Sequence, residues 1–142
     1  MIRAPQNQLE WQAYYDLRYK ILREPWGQPK GSEQTPDESE HQHFAYFDSL
    51  GNVQGVGRLD KSDAKTFQIR FMAVNDAVQR NGIGSELIEE MQLVAKREGS
   101  EKIILHAREN AIHFYQKLGY RMHEKSHLLF GQIQHYLMIK NF

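Results

Sequence analysis

The sequence predicts a single α/β domain in which a mixed β-sheet carries helices on its faces. Three observations indicate this α+β mixed-sheet class. Segments of helical and strand periodicity follow one another in the order α-β-β-β-α-β-α-β-β, no segment is repeated, and no linker marks a second domain. The 142 residues are 40% hydrophobic and 25% charged, which suffices for one domain with a substantial core. We therefore expect one domain over residues 1–142.

The composition argues against several classes of protein. Lys plus Arg and Asp plus Glu each number 18, and this neutral balance disfavours a nucleic-acid binder that neutralises many phosphates. The absence of cysteine removes disulfides, thiolate metal ligands and a cysteine nucleophile. No stretch approaches the roughly 20 apolar residues that span a bilayer, and the N-terminus lacks the apolar run of a signal peptide. We expect a cytoplasmic protein without nucleic-acid or membrane partners.

The first half of the chain contains a helix, a long polar connection and three strands. Tyr14, Leu17 and Ile21 share one face of a helix predicted over 8–22. Residues 23–43 hold three of the four prolines and are almost entirely polar, so we expect a functional loop there. The predicted strands of this half are 44–48, 53–59 and 66–74.

The second half contains two helices and three strands. Apolar residues recur at three- and four-residue intervals over 83–97, and Gly99 stands where a helix C-cap glycine belongs. Asn110 is a fair N-cap for a helix over 111–118, which Gly119 ends. The predicted strands of this half are 102–107, 120–130 and 134–140.

A glycine-containing turn joins the third predicted strand to the second helix. It reads Gln79-Arg80-Asn81-Gly82-Ile83-Gly84. A helix N-terminus presents unpaired backbone N–H groups and a positive dipole end, and glycines let an anion approach them closely. The turn therefore predicts a pyrophosphate site, with a plain strand-to-helix turn as the alternative. It fits neither a Walker A loop nor the dinucleotide fingerprint, because Leu87 occupies the position of the third fingerprint glycine.

Two blocks of the sequence together resemble the GCN5-related N-acetyltransferase (GNAT) superfamily. Gln79-x-x-Gly82-x-Gly84 is similar to the acetyl-CoA-binding pattern (Q/R)-x-x-G-x-(G/A) of that family. The segment NAIHFYQKLGY, residues 110–120, is similar to its second signature, in which an asparagine, a tyrosine and a glycine-aromatic pair recur. The resemblance covers residues 8–142. LRYKILREPWG near the start and SHLLFG near the end resemble small bacterial members of the ElaA type.

The resemblance implies a GNAT fold, in which the fourth and fifth strands splay apart around acetyl-CoA. Those strands correspond here to 66–74 and 102–108. Backbone N–H groups of the turn would hold the pyrophosphate, and strand backbone would pair with the pantetheine arm like an added strand. Asn110, besides being a candidate helix cap, matches a position whose side chain contacts pantetheine. The residues expected at the cofactor are Met72, Ala73, Val74, Gln79, Arg80, Asn81, Gly82, Ile83, Gly84, Ser85, Asn110 and Tyr115.

The resemblance also implies transfer of an acetyl group from acetyl-CoA to a primary amine. Tyr115 matches the tyrosine that protonates the departing thiolate, a suitable role for a phenol with a pKa near 10; simple packing against the sheet is its other interpretation. A main-chain N–H of the splayed fourth strand would stabilise the oxyanion. Without cysteine for an acyl-enzyme, transfer would be direct. The alternatives are a catalytically silent acetyl-CoA-binding module and a nucleotide-binding or hydrolytic enzyme.

Several residues could take the proton of a protonated amine acceptor. Histidine suits this role because its ordinary pKa is near 6.5. His43 opens the predicted hairpin, His106 lies on the strand bordering the cleft, and His135 begins the last strand. The polar loop offers acidic residues that could relay a proton, bind a cationic acceptor, or simply form a solvated surface. These acidic residues are Glu33, Asp37, Glu38 and Glu40.

Other features bear on the acceptor, metals and assembly. The pairs His41 with His43 and His123 with His127 have spacings that a metal could use, but no third ligand accompanies them, so we expect no metal. The expected acceptor is a small amine or a protein amine. Family habit makes a homodimer a further expectation. An acceptor pocket could be walled by Trp26, Tyr19 and Phe44.

Overall fold

The computed structural model describes residues 1–142, and its elements follow the predicted order with one further strand at the N-terminus. The helices are α1 (Gln8–Leu22), α2 (Ile83–Arg97) and α3 (Ile112–Lys117). The strands are β1 (Ile2–Arg3), β2 (Gln42–Phe47), β3 (Val53–Lys61), β4 (Thr66–Val74), β5 (Lys102–Arg108), β6 (Arg121–Leu129) and β7 (Ile133–Asn141). None of the helices has both the length and the apolar composition needed to cross a lipid bilayer.

The seven strands form one mixed sheet in the order β1-β2-β3-β4-β5-β7-β6. Every neighbouring pair is antiparallel except β4 and β5, which are parallel. The sequence did not predict β1, which pairs Ile2 with Tyr46 and Arg3 with Ala45. This short strand makes β4 and β5 the fourth and fifth strands, as the family resemblance implied. The predicted mixed α+β class is confirmed.

The parallel pair β4–β5 separates soon after it forms. Its pairing stops beyond Gln68 and Ile104. On the opposite edge of β4, Phe71 and Met72 together face the single residue Gly57, which defines a β-bulge. Phe71 has φ 55°, in the left-handed region that non-glycine residues rarely adopt. Because a bulge bends its strand, β4 diverges from β5 at this level and a V-shaped gap opens between them.

Alternation along the strands sorts polar and apolar side chains onto different faces of the sheet. On β5, Ile103, Leu105 and Ala107 belong to the larger core cluster, which also contains the apolar face of α2. The intervening side chains of His106 and Arg108 lie on the other face. That face is covered by α1 and a smaller cluster made of Tyr14, Leu17, Leu22, Ala45, Phe47, Val56 and Ala73.

The polar connection between α1 and β2 is an ordered layer that packs on the protein. Glu33 and Glu38 are buried, which contradicts the interpretation of these two residues as a solvated acidic surface. The Glu38 carboxylate accepts hydrogen bonds from Arg18 at 2.9 Å and from Arg58 at 2.8 Å. Two guanidinium groups from α1 and β3 thus compensate its burial. The connection also contains two short 3-10 helices, Glu24–Trp26 and Glu38–Glu40.

Candidate active site

Two cavities open into the gap between β4 and β5 and meet at its centre. One, of about 610 Å³, contains the glycine turn and is called the α2 cavity below. The other, of about 500 Å³, contains His106, His127 and His135 and is called the histidine cavity. The two cavities adjoin, because part of their lining is common to both. Both cavities are lined by Leu22, Met72, Arg108, Ala111 and Tyr115.

The glycine turn presents a row of free backbone N–H groups to the α2 cavity. Gly82, with φ 80°, stands at the N-cap of α2, and Arg80 also has a left-handed backbone, with φ 72°. The N–H groups of residues 79–85 make no hydrogen bond to a backbone carbonyl. The Gln79 side chain instead donates to the Val74 carbonyl at 3.2 Å and holds the turn against β4. Such a row at the positive end of a helix dipole suits a phosphate group.

The structure brings together nearly all the residues expected at the cofactor. Asn81 is the exception, since it is exposed and does not line the cavity. The prediction that Asn110 caps a helix is wrong, because Asn110 lies in a 3-10 turn and α3 begins only at Ile112. Its exposed side chain faces the α2 cavity. The expected residues that line it are Met72, Ala73, Val74, Gln79, Arg80, Gly82, Ile83, Gly84, Ser85, Asn110 and Tyr115.

Tyr115 stands at the junction of the two cavities. Helix α3 places it there, and its ring packs edge-on against Phe114 and Tyr120, with centroid distances of 4.9 and 5.8 Å. Burial raises the pKa of Tyr115 to about 12, although the nearby Arg108 charge acts in the opposite direction. The hydroxyl is therefore protonated at neutral pH and can donate a proton.

Three histidines from three adjacent strands meet in the histidine cavity. The ring of His127 lies 5.3 Å from that of His106 and is stacked on that of His135 at 4.4 Å, measured between centroids. Nδ1 of His106 is 3.0 Å from Oγ of Ser126. Nδ1 of His135 is 2.9 Å from the carbonyl oxygen of Ile133. A carbonyl only accepts, so Nδ1 of His135 carries the hydrogen, and in the neutral ring Nε2 keeps its lone pair.

The environment keeps two of these imidazoles neutral at pH 7. Burial lowers the pKa of His106, and His127 and Arg70 lower it further. Burial also lowers the pKa of His135; His127 and Arg108 add to this effect, while the bond to the Ile133 carbonyl opposes it. The neutral form is the one that accepts a proton.

The structure places His43 outside both cavities. It is buried beneath α1, where Nε2 donates to the carbonyl oxygen of Glu38 at 2.7 Å and Nδ1 lies 2.8 Å from the Tyr14 hydroxyl. Both ring nitrogens are thus occupied inside the protein, and His43 is not brought to the gap. The aromatic residues considered for an acceptor wall also line neither cavity: Trp26, Tyr19 and Phe44.

The sequence analysis missed three arginines of the histidine cavity. Arg23 follows α1, Arg70 lies on β4 and Arg108 ends β5. The signal for two of them was the period-two pattern of TFQIRF and KIILHAR, in which polar and apolar residues alternate. Because these strands are parallel neighbours, their polar positions Arg70, His106 and Arg108 fall on one face.

Comparison with known sequences identifies relatives. The model of the acetyltransferase (GNAT) family matches residues 11–120. The uncharacterized N-acetyltransferase YjcF of Bacillus subtilis is 26% identical over 129 residues, which cover 91% of this chain and 90% of YjcF. The uncharacterized N-acetyltransferase CgeE of the same organism is 40% identical over 68 residues, or 46% of this chain. This match spans only 26% of the length of CgeE.

Solved structures share the fold across almost the whole chain. An aminoglycoside 6'-N-acetyltransferase complexed with coenzyme A superimposes with a TM-score of 0.83 at 16% identity, covering 99% of this chain and 96% of the other. ElaA of Escherichia coli superimposes with a TM-score of 0.77 at 17% identity, covering 99% and 97%. Identities this low establish a common fold and leave the acceptor to be argued from the site itself.

Proposed function

The chain belongs to the acetyltransferase (GNAT) family, and we propose that this acetyl-CoA-dependent enzyme passes the acetyl group directly to a primary amine bound in the histidine cavity. The observation that carries the proposal is the meeting of the two cavities at Tyr115. A thioester in one cavity and an amine in the other would approach each other at that residue. Because the chain has no cysteine, transfer through a cysteine acyl-enzyme is excluded.

The α2 cavity would hold acetyl-CoA through main chain as much as through side chains. The free N–H groups of residues 79–85 would bind the pyrophosphate. The open edge of β4 at residues 72–74 would pair with the pantetheine arm as an added strand, since β5 has diverged there. The Asn110 side chain would contact the same arm. These contacts direct the thioester toward Tyr115.

The proposed transfer requires a proton donor for the leaving sulfur. Attack by the amine nitrogen forms the C–N bond and places a negative charge on the thioester oxygen, which a main-chain N–H on the open edge of β4 would stabilise. Collapse breaks the C–S bond, the Tyr115 hydroxyl gives its proton to the sulfur, and the second proton that the attacking nitrogen loses restores the Tyr115 hydroxyl. The position of Tyr115 in the lining of both cavities supports this role.

The transfer also requires a proton acceptor, because an amine is protonated at neutral pH. We assign this role to Nε2 of His135, whose lone pair is preserved by the bond from Nδ1 to Ile133. His106 is the second candidate in the same cavity, where its Nδ1 faces Ser126. Both are neutral at pH 7 for the reasons given above.

The first test is calorimetric titration of the full chain with acetyl-CoA, with ATP and NAD as controls. We expect acetyl-CoA to bind with a dissociation constant in the micromolar range, a binding free energy on the order of −8 kcal/mol, and we expect no binding of ATP or NAD. Thiol release in the presence of a panel of primary amines then measures transfer. Absence of acetyl-CoA binding, or tighter binding of ATP, would refute the proposed use of the α2 cavity.

A further inference from the structure

We propose that the acceptor amine carries an anionic group, a carboxylate or a phosphate ester, which Arg23, Arg70 and Arg108 bind in the histidine cavity. The proposal rests on the proposed function and names the class of acceptor. It replaces the cationic acceptor that the acidic loop residues suggested in the sequence. Two of those residues, Glu33 and Glu38, are buried, and neither lines the histidine cavity.

The charged residues of the histidine cavity are all basic. Its 16 lining residues include three arginines and three histidines but no aspartate or glutamate. A polyamine or another multiply charged cation would meet only like charge there, and it would find no carboxylate to replace its lost hydration. A ligand that brings its own negative charge has the complementary chemistry.

Arg108 is the clearest unpaired cation. It is partly buried, and it lies across from His135 in the β5–β7 pairing, on the side of the gap where the two cavities meet. Burial lowers the pKa of its guanidinium group, and no aspartate or glutamate lines either of the two cavities that Arg108 borders. A partly buried guanidinium without a counter-ion binds an anion at little further desolvation cost.

Arg70 has guanidinium N–H groups that form no short hydrogen bond within the protein. Its nearest carboxylate is that of Asp60, at 3.6 Å, and 40% of the Arg70 side chain is exposed. Asp60 accepts hydrogen bonds from Nε and Nη2 of Arg58 at 2.7 and 2.8 Å, one on each carboxylate oxygen. Asp60 is therefore already neutralised, and the guanidinium of Arg70 is available to a ligand.

Arg23 is held in place by main chain, which presets its orientation. Its Nε donates to the carbonyl oxygen of Ser32 at 3.2 Å and its Nη1 to that of Leu22 at 3.1 Å. Burial lowers the pKa of Arg23; the charges of Arg108, Arg18 and Arg70 act in the same direction, and that of Glu33 opposes them. The three arginines line one cavity of about 500 Å³, where their like charges oppose one another, and a bound anion would relieve that repulsion.

The ring of Phe71, on the β4 bulge, supports two of these arginines. The guanidinium carbons of Arg23 and Arg70 lie 5.7 and 4.9 Å from its centroid. Attraction to the aromatic ring helps to hold a guanidinium in place and leaves its N–H groups for bonds to a carboxylate or phosphate. The residue that opens the gap therefore also arranges the anion site.

The test uses acetylated products, which bind without turnover. We would first saturate the full chain with coenzyme A, which fills the sites proposed for its phosphates. We would then titrate the complex with two matched pairs of acetylated compounds. The first pair is N-acetylleucine and its primary amide; the second is N-acetylglucosamine 6-phosphate and N-acetylglucosamine. We expect the anionic member of at least one pair to bind roughly 10- to 100-fold more tightly than the neutral one. The pair that shows the preference identifies a carboxylate or a phosphate acceptor.

Variants then assign the preference to the arginines. Arg108→Gln and Arg70→Gln should each weaken binding of the anionic product about tenfold or more and leave the neutral product unaffected, whereas Arg108→Lys should retain part of the preference. Arg121→Gln, at an exposed position of β6, is the matched control. Equal affinities within both pairs, no measurable binding of either anion, or a preference that survives both glutamine variants would overturn the proposal. Failure of the proposed function would appear separately, as absent acetyl-CoA binding or absent transfer to every amine.

Discussion

At the scale of single residues, burial sets the proton positions that the chemistry needs. The same removal of water that raises the pKa of Tyr115 to about 12 lowers the pKa values of His106 and His135, because burial always disfavours the charged form. Both shifts reinforce the states that the proposed roles need at neutral pH, a protonated phenol and unprotonated imidazoles. The positive charge of Arg108 moderates the effect at Tyr115 and strengthens it at His135.

Tyr115→Phe removes the proposed proton donor but keeps the ring that packs in the core. We expect acetyl-CoA affinity to be retained and turnover to fall by roughly 10- to 10³-fold, measured as thiol release at saturating acceptor. The matched control is Tyr120→Phe, because the Tyr120 hydroxyl is buried nearby but donates to Oε1 of Gln92 and lines neither cavity. Turnover that is equal in both variants would exclude Tyr115 as the acid.

His135→Gln removes the proposed proton acceptor and should change the pH dependence of kcat/KM. In the wild type, the lowered pKa means that the ring stays unprotonated at pH 7 and that activity is lost only as pH falls below about 6.5. Without the ring, we expect a loss of about 10²- to 10⁴-fold at pH 7 that shrinks as pH rises toward the pKa of the amine, which then supplies its own free base.

Rate profiles from pH 5 to 10 would check this prediction against two further variants. His106→Gln tests the second candidate, and His123→Gln serves as the control, because His123 is exposed and lines neither cavity. If the pH–rate profile of His135→Gln runs parallel to that of the wild type, His135 is not the proton acceptor and another residue takes that role.

At the scale of elements, the site exists because two regular elements are interrupted. The bulge at Phe71 and Met72 turns β4 away from β5, which frees a strand edge and creates the gap. The left-handed residues of the turn bring the N-terminus of α2 to the same gap with its N–H groups unpaired. A continuous sheet and an ordinary turn would leave neither a free strand edge nor a row of unpaired N–H groups at the gap.

Gly82→Ala tests the turn and needs a control for backbone strain. Gly82 and Gly131 both have positive φ, 80° and 66°, and a Cβ at either would meet nothing within 4 Å. We expect each alanine variant to lose about 1 kcal/mol of unfolding free energy, because L-residues disfavour this conformation. Only Gly82→Ala should also weaken acetyl-CoA binding, by about tenfold or more in calorimetry, since its methyl group stands where the pyrophosphate approaches the backbone. Equal affinity in both variants would contradict the assignment of the pyrophosphate site.

At the scale of the whole molecule, a buried ionic network ties the long polar connection to the rest of the fold. Glu38 joins Arg18 of α1 to Arg58 of β3, and Arg58 continues the network to Asp60. Arg18 and Arg58 are fully buried. The network fixes the end of α1, and therefore Leu22 and Arg23, over the gap.

Glu38→Ala should be strongly destabilising, because it leaves two buried guanidinium groups without their shared counter-ion. We expect a loss of about 3–5 kcal/mol in the free energy of unfolding, measured by denaturant titration at pH 7. Glu40→Ala, three residues into the same 3-10 segment but exposed, should change it by less than about 0.5 kcal/mol. Similar small losses in both variants would show that the network contributes little.

The contribution of Glu38 should also depend on pH. Burial alone would raise its pKa, but the Thr35 N–H and the two arginines outweigh burial and lower it below the ordinary value of 4.5. A lowered folded-state pKa adds stability above the unfolded pKa and loses it as pH falls through the folded value. The difference between wild type and Glu38→Ala should therefore be full above about pH 5 and shrink in more acidic buffer. A difference that does not change between pH 7 and pH 3 would contradict this linkage.

The sequence by itself determined the parts of this protein that depend on local pattern. Helical periodicity predicted α1 and α2, and strand-forming residues bounded by turns predicted the strands from β2 to β7, because each is a property of residues close together in the chain. The glycine turn is such a local pattern too, and the phosphate site that it indicates stays a prediction. The two-residue strand β1 was missed because it carries no periodicity of its own and exists only through pairing with β2. The cap assigned to Asn110 failed because a 3-10 turn and a helix start look alike in sequence.

Only the tertiary structure decided which polar residues are buried and which share a cavity. His43 and Glu38 were candidates for chemistry, and their partners Tyr14, Arg18 and Arg58 come from other elements. Arg23, Arg70 and Arg108 lie far apart in the chain and meet only because β4 and β5 are adjacent and α1 ends above their gap. Burial and Coulomb interactions depend on distances in space, and those distances are set when the elements pack together.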